Sequence, residues 1–217
     1  MKEAVRVGII SLGCAKNLVD TEIMLGHLDR HGCRYVQDPE QADVIVINTC
    51  GFIGPAREES IQTILETAEL KKTSGLKRLV VAGCMVQRYR EQLSANLPEV
   101  DAFIGLDELP RVIESAGISG EAGPALTVAP GPSRSLYDHL SPRHLATPSW
   151  TAYLKIAEGC DHTCSFCAIP TFRGAFRSRT RDDLVREARR LAGEGVRELN
   201  LIAQDTSHYG RDRGESD

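Results

Sequence analysis

A chain of 217 residues with 41% hydrophobic and 26% charged side chains has room for one domain or two small ones, and its composition excludes intrinsic disorder and collagen-like repeats. No run of about 18 apolar residues occurs, and MKEAVR leads straight into an apolar strand, so neither a membrane span nor a secretory leader is indicated and the cytoplasm is the expected compartment. Lys and Arg number 26 against 30 Asp and Glu, a formal charge of -4, which argues against a protein that grips nucleic acid over its whole surface.

Val5 to Leu12, Val44 to Ile47 and Leu79 to Ala82 are short Val/Ile/Leu-rich runs, the composition of strands buried on both faces of a parallel sheet. Helical segments follow them. The clearest starts at Pro55 and ends near Lys71 and Lys72, with Ile61, Ile64, Leu65 and Ala68 as its predicted buried stripe. Another apolar run, Ala102 to Leu106, and a short helix from about Asp107 complete an open parallel α/β sheet domain over 1–116. Pro124, Pro130, Pro132, Pro142 and Pro148, with Gly117, Gly120, Gly123 and Gly131, then predict a connector over 117–149. A second βα pattern fills 150–217: strand Tyr153 to Ala157, a helix from Arg181 with Leu184, Ala188 and Leu191 on one face, and strand Val196 to Ala203. This is the beginning of a (βα) barrel. Two strands fall far short of a barrel's eight, so the expectation is an incomplete fragment whose first domain folds alone and whose second half is labile.

Seven cysteines in a chain with no leader are poor material for a disulfide framework and good material for metal ligation. Cys160, Cys164 and Cys167 form a C-x3-C-x2-C loop directly after a strand. Three thiolates in one loop hold three irons of a cubane and leave the fourth open. The alternative is zinc, with His162 or a distant fourth ligand, but a closed zinc site usually shows paired C-x2-C knuckles, which are absent. Cys14, Cys50 and Cys84 each stand at the carboxyl end of an apolar strand, in ISLGC, INTC and VAGC, where the crevice of an open parallel sheet lies. The adjacent Gly13, Gly51 and Gly83 allow sharp turns and close approach to a bulky group. Three small buried hydrophobes are the alternative reading. Cys33, at the start of a strand, is assigned to packing.

In these strings, SLGCAKNLVDTE, INTCGFIGPAREESI, GCMVQRY, YLKIAEGCDHTCSFCAIPTFRGAFRSR and GVRELNLIAQDTSHYG, the chain resembles the radical S-adenosylmethionine methylthiotransferases, and within them the type that acts on a ribosomal protein. The sister type modifies adenosine in tRNA and usually reads differently at KNLVD, AEGCD and AQDT. The resemblance implies a radical 4Fe-4S cluster on Cys160, Cys164 and Cys167 that takes S-adenosylmethionine at its open iron. It implies an auxiliary 4Fe-4S cluster on Cys14, Cys50 and Cys84 that carries the sulfur. It further implies an external electron donor, and as substrate the β-carbon of an aspartate in ribosomal protein S-twelve of the small subunit. An aliphatic C–H bond offers no proton to a side-chain base, so the hard step belongs to the cofactors.

Gln204 and Asp205, with Thr206, follow the second barrel strand at the working face and are candidate cofactor contacts; capping of a turn is the plainer alternative. Arg173, Arg177, Arg179 and Arg181 follow the cluster loop, and one or two of them, with Arg177 the choice for the cofactor, are expected to reach a carboxylate. His162 is read as a spacer. Neither a membrane nor stably bound nucleic acid is an expected partner. A tRNA adenosine methylthiotransferase and a non-catalytic iron-sulfur or zinc module remain the competing readings.

Overall fold

In a computed structural model of the protein, residues 4–119 and 126–214 are described. Gly120, Gly123 and Pro124, all read as connector, lie outside the described residues. The first half runs β1 (Arg6–Ser11), α1 (Ala15–Arg30), β2 (Arg34–Tyr35), β3 (Val44–Thr49), α2 (Gly54–Thr73), β4 (Arg78–Gly83), α3 (Cys84–Asn96), β5 (Ala102–Ile104), α4 (Val112–Ser115) and β6 (Leu126–Thr127). Its six strands lie in the order β2-β1-β3-β4-β5-β6, and all the pairs are parallel. Strand β6 comes from the stretch read as connector and extends the sheet beyond residue 116.

Strict alternation along buried strands builds two cores. Ile45, Ile47, Leu79, Val81 and Phe103 face α2 and α3, whereas Val44, Val46, Val80, Ala82, Ala102 and Ile104 face α1 and α4. The predicted stripe of α2 needs correction. Ile64 and Ala68 are buried, but Ile61 and Leu65 are 40% and 41% exposed, and Ser60 and Thr67 take the inward positions instead. Their hydroxyls donate to the carbonyls of Ala56 and Thr63 one turn back, so burial leaves neither unpaired. Small, internally satisfied polar side chains thus let this helix lie close to the sheet.

The second half contains β7 (Thr151–Lys155), β8 (Ala157–Glu158), α5 (Ile169–Arg173), β9 (Arg177–Ser178), α6 (Arg181–Gly193) and β10 (Glu198–Ile202). Strand β10 pairs parallel with β7, and β8 pairs antiparallel with β9. Thr180 caps α6 by accepting from the Asp183 N–H, and Leu184, Ala188 and Leu191 pack inward as predicted. Leu201 on β10 is 58% exposed. No helix among the described residues is long and apolar enough to cross a membrane.

Residues 133–146 form a strap between the halves. Asp107 accepts from the backbone N–H groups of Arg134 and Ser135 at 3.0 and 2.8 Å. The Arg143 side chain, 1% exposed, forks between Glu22 of α1 at 2.6 Å and Glu187 of α6 at 2.8 Å, and also donates to the Tyr153 carbonyl. The strap crosses α1 at Gly26, where a Cβ would come within 2.4 Å of the Pro142 carbonyl carbon.

Candidate functional site

In this strand order the chain reverses its direction of sheet growth between β1 and β3, and the crevice at the carboxyl ends of those strands is where an open α/β sheet binds ligands. Cys14 caps α1 just after β1, Cys50 follows β3 directly, and Cys84 opens α3 at the end of β4. Two of the three therefore stand at helix N-termini. One side chain ties the three loops together. Asn17, 1% exposed, donates to the carbonyls of Leu12 at 2.8 Å and Thr49 at 3.0 Å, while its Oδ1 faces Cys84 Sγ at 3.6 Å. Gly13 has φ +92°, and a Cβ there would lie 2.8 Å from Cys50 Cβ and 3.2 Å from its Sγ. Cys33 precedes β2 at the opposite end of the sheet, packs on the α1 side of the core, and has its thiol pushed up by burial.

The second cysteine loop leaves β8 through Glu158 and Gly159. The Cys160 N–H donates to the Gly174 carbonyl at 3.0 Å, the Cys167 N–H to Cys164 O at 3.1 Å, and Asp161 accepts from the Phe176 N–H at 2.8 Å. All seven thiols are free. Among the described residues, neither cysteine trio gathers its sulfurs within 4.8 Å of one another. A single ion needs such closeness, but a cubane binds each thiolate at a different iron and needs a wider triangle. Three cysteine thiols in each group are a donor set of the kind that holds an iron-sulfur cluster, one thiolate to each iron.

Between the two loops lies a buried charged network. Lys16 meets Glu158 at 2.9 Å; Lys155 meets Asp20 at 2.5 Å and Glu158 at 2.6 Å; Arg173 meets Asp20 and Glu158, each at 2.8 Å. Arg173 also aims Nε and Nη2 at Cys84 Sγ, at 3.3 and 3.0 Å. Burial pushes the Glu158 carboxyl up, but Arg173, Lys155 and Lys16 outweigh it and hold it well below the ordinary range. Burial brings Lys16 down to about 8, and pushes the Cys84 thiol up to about 11 against the pull of Arg173. Burial also disfavours charge on Arg173, yet Cys84, Glu158 and Asp20 hold its guanidinium well above its usual value.

The other predicted residues divide. Gln204 Oε1 accepts from Lys16 Nζ, so this residue of the second half reaches the network. Asp205 sits beside the cluster loop: His162 Nε2 lies 2.7 Å from its Oδ2, and hydrogen bonds from His162 and Ser207 hold its carboxyl down to about 2. Asp205 also caps the turn at Thr206–His208. Arg177 meets main-chain carbonyls of Ala175, Arg173 and Ser135 in place of a carboxylate. Arg179 is buried on Glu187 and Asp183, and Arg181 is exposed. Of the four arginines, Arg173 alone touches a cysteine of either trio. Lys16, Asn17, Asp20, Lys155 and Glu158 escaped the sequence reading as site residues. Lys16 and Asp20, one turn apart in α1 just after Cys14, were the available signal.

Residues 6–105 match the uncharacterized protein family UPF0004, and residues 154–215 match the Radical SAM superfamily. Among curated proteins, the chain is 53% identical over 212 residues to "Ribosomal protein uS12 methylthiotransferase RimO" of Solibacter usitatus (strain Ellin6076), covering 98% of this chain and 44% of that protein. It is 54% identical over 209 residues to the protein of the same name from Symbiobacterium thermophilum, covering 96% and 42%. The chain thus spans less than half the length of these relatives. Among solved structures it resembles the radical S-adenosylmethionine methyltransferase TsrM from Kitasatospora setae, with a TM-score of 0.59 at 12% identity over 94% of this chain and 48% of that one. That likeness concerns the fold alone.

Proposed function

The chain belongs to the radical S-adenosylmethionine methylthiotransferase family, and we propose that it carries the two cluster-binding halves of an enzyme that methylthiolates the β-carbon of an aspartate in ribosomal protein uS12. Membership implies S-adenosylmethionine and a 4Fe-4S cluster as cofactors. In this reading Cys160, Cys164 and Cys167 ligate the cluster that receives S-adenosylmethionine, and Cys14, Cys50 and Cys84 ligate an auxiliary one. The sheet that ends in β6 then forms the auxiliary half, residues 133–146 the strap, and the part from β7 onward the radical half. When bound, these groups supply the one-electron chemistry that an aliphatic C–H bond demands, with the electron drawn from an external donor. The protein's own residues do the positioning. Asn17 holds the three N-terminal loops in register, and Glu158 fixes the strand that leads into Cys160. Asp205 at the cluster loop and Gln204 at the buried network stand as contacts for S-adenosylmethionine, and Arg177 braces the backbone after α5.

The observation that carries this reading is the convergence of Cys14, Cys50 and Cys84 around Asn17 at the switch point, joined through Arg173 and Glu158 to the loop of Cys160. Anaerobic reconstitution tests it. About eight irons per chain are expected, falling to about four when either trio is replaced by alanine. Loss of the Cys160 trio should abolish cleavage of S-adenosylmethionine, and loss of the Cys14 trio should leave cleavage intact while ending transfer. Colourless protein holding zinc overturns the proposal. Mass spectrometry of uS12 and of tRNA, from cells with and without the full-length protein, decides the substrate: a methylthio increment on tRNA alone would assign it to the sister activity.

A further inference from the structure

The buried network between the halves has an imbalance of charge. Lys16, Lys155 and Arg173 face only two carboxylates, Asp20 and Glu158, and every one of these five side chains is 8% exposed or less. Arg173 keeps donor directions beyond those it gives to these two carboxylates. Cys84 takes them, with its sulfur 3.0 and 3.3 Å from two nitrogens of Arg173.

The guanidinium is not free to turn elsewhere. Nη1 is committed to Glu158, Nη2 to Asp20 as well as to Cys84, and Asn17 Oδ1 stands 3.3 Å from Nη2. A planar fork fixed on two carboxylates presents its remaining donor directions to the sulfur at small entropic cost. We infer that Arg173 is a positioning residue for the Cys14, Cys50 and Cys84 site: held by Asp20 and Glu158, it directs two N–H donors at Cys84 Sγ and so raises the reduction potential of a cluster ligated there. The inference rests on the two-cluster reading above. Hydrogen bonds to a ligating sulfur and a nearby cation both favour the reduced cluster, which carries one more negative charge. The same contact binds an auxiliary ligand to α5, at the exit of the other cluster loop, so the state of one site bears on the fit between the halves.

The test uses the 217-residue chain with Cys160→Ala, Cys164→Ala and Cys167→Ala together, so that only the N-terminal site holds iron after anaerobic reconstitution. Iron content and midpoint potential, the latter from redox-titrated electron paramagnetic resonance, are compared with Arg173 present, with Arg173→Met and with Arg173→Lys. The expected result is that Arg173→Met keeps about four irons and loses about tenfold in the reduction equilibrium, a fall of about 59 mV for a one-electron couple. Arg173→Lys keeps the charge but loses the fork, and should fall by less. If Arg173→Met fails to fold or hold iron, Arg173→Lys carries the test: a lowered potential supports the inference and an unchanged one overturns it. An unchanged potential in folded, iron-loaded Arg173→Met overturns it likewise. Absence of iron with Arg173 intact overturns the two-cluster reading itself, which separates that failure from a failure of the inference alone.

Discussion

Asn17 does more for the candidate site than any residue besides the cysteines, because one buried amide serves loops that follow three different strands. Asn17→Ala would leave the Leu12 and Thr49 carbonyls without that donor in a buried place, at a cost of about 2–4 kcal/mol. The expected outcome is a melting temperature lower by roughly 5–15 °C and a reconstituted iron content reduced at the N-terminal site only. Unchanged iron in a folded variant would show that the loops hold their register without it. Asp183 illustrates a different balance. Burial pushes its carboxyl up, but hydrogen bonds from Arg179 and from the His139 backbone and ring outweigh burial and leave its value below the usual 3.8. A carboxyl depressed in this way stabilises the fold above its unfolded value, and that contribution drains away as pH falls through the lower folded value. Asp183→Asn should therefore be less stable at neutral pH and should show a smaller further loss on acidification, both read from denaturant melts at pH 7 and below about pH 4. Parallel pH profiles for the two proteins would refute this. The cysteines were legible in the sequence because their spacing and strand-end placement are local facts. The ion network was not, since Lys16, Asp20, Lys155 and Glu158 acquire meaning only once residues about 140 positions apart are brought together.

At the scale of elements, alternating Val and Ile revealed the strands of the first sheet, because both faces of a central parallel strand must be apolar. The inward line of α2 was misread at Ile61 and Leu65: an apolar count cannot recognise Ser60 and Thr67, whose hydroxyls are satisfied within their own helix, as core residues. A single-turn pair such as β8 with β9, two residues long on each side, carries no periodic signal at all. Yet that pair shapes the mouth of the cluster loop. Gly159, the residue between β8 and Cys160, has φ +76°, and a Cβ there would lie 1.9 Å from the Ala175 carbonyl oxygen. Backbone must move to admit it, in addition to a left-handed penalty of roughly 1–2 kcal/mol. Gly159→Ala is thus expected to cut iron at the Cys160, Cys164 and Cys167 loop and to abolish cleavage of S-adenosylmethionine, while the N-terminal sheet keeps its melting behaviour. Full iron content and normal cleavage in that variant would show that the loop tolerates the displaced turn.

Across the whole molecule, the proline-rich stretch predicted as a connector serves as a fastening, a role its composition conceals because the partners of Arg143 lie in α1 and α6. Replacing Arg143 with Met removes a cation, 1% exposed, from between Glu22 and Glu187, both fully buried. Glu187 retains Arg179, whereas Glu22 keeps the Ala146 N–H at 2.9 Å but, among the described residues, no counter-ion. Breaking a buried pair from one side costs on the order of 3–5 kcal/mol. The loss should be regional rather than global, because both cores of the six-stranded sheet are complete without the strap. Hydrogen exchange of Arg143→Met should therefore accelerate at strap amides such as His144 and Ala146, which bond to Glu22, while amides of β3 and β4 keep their protection. Adding Glu22→Gln to Arg143→Met should recover part of the stability, since a neutral amide no longer demands the missing charge. If the double variant is as unstable as the single one, the strap is held by its packing over Gly26 and not by the buried ions.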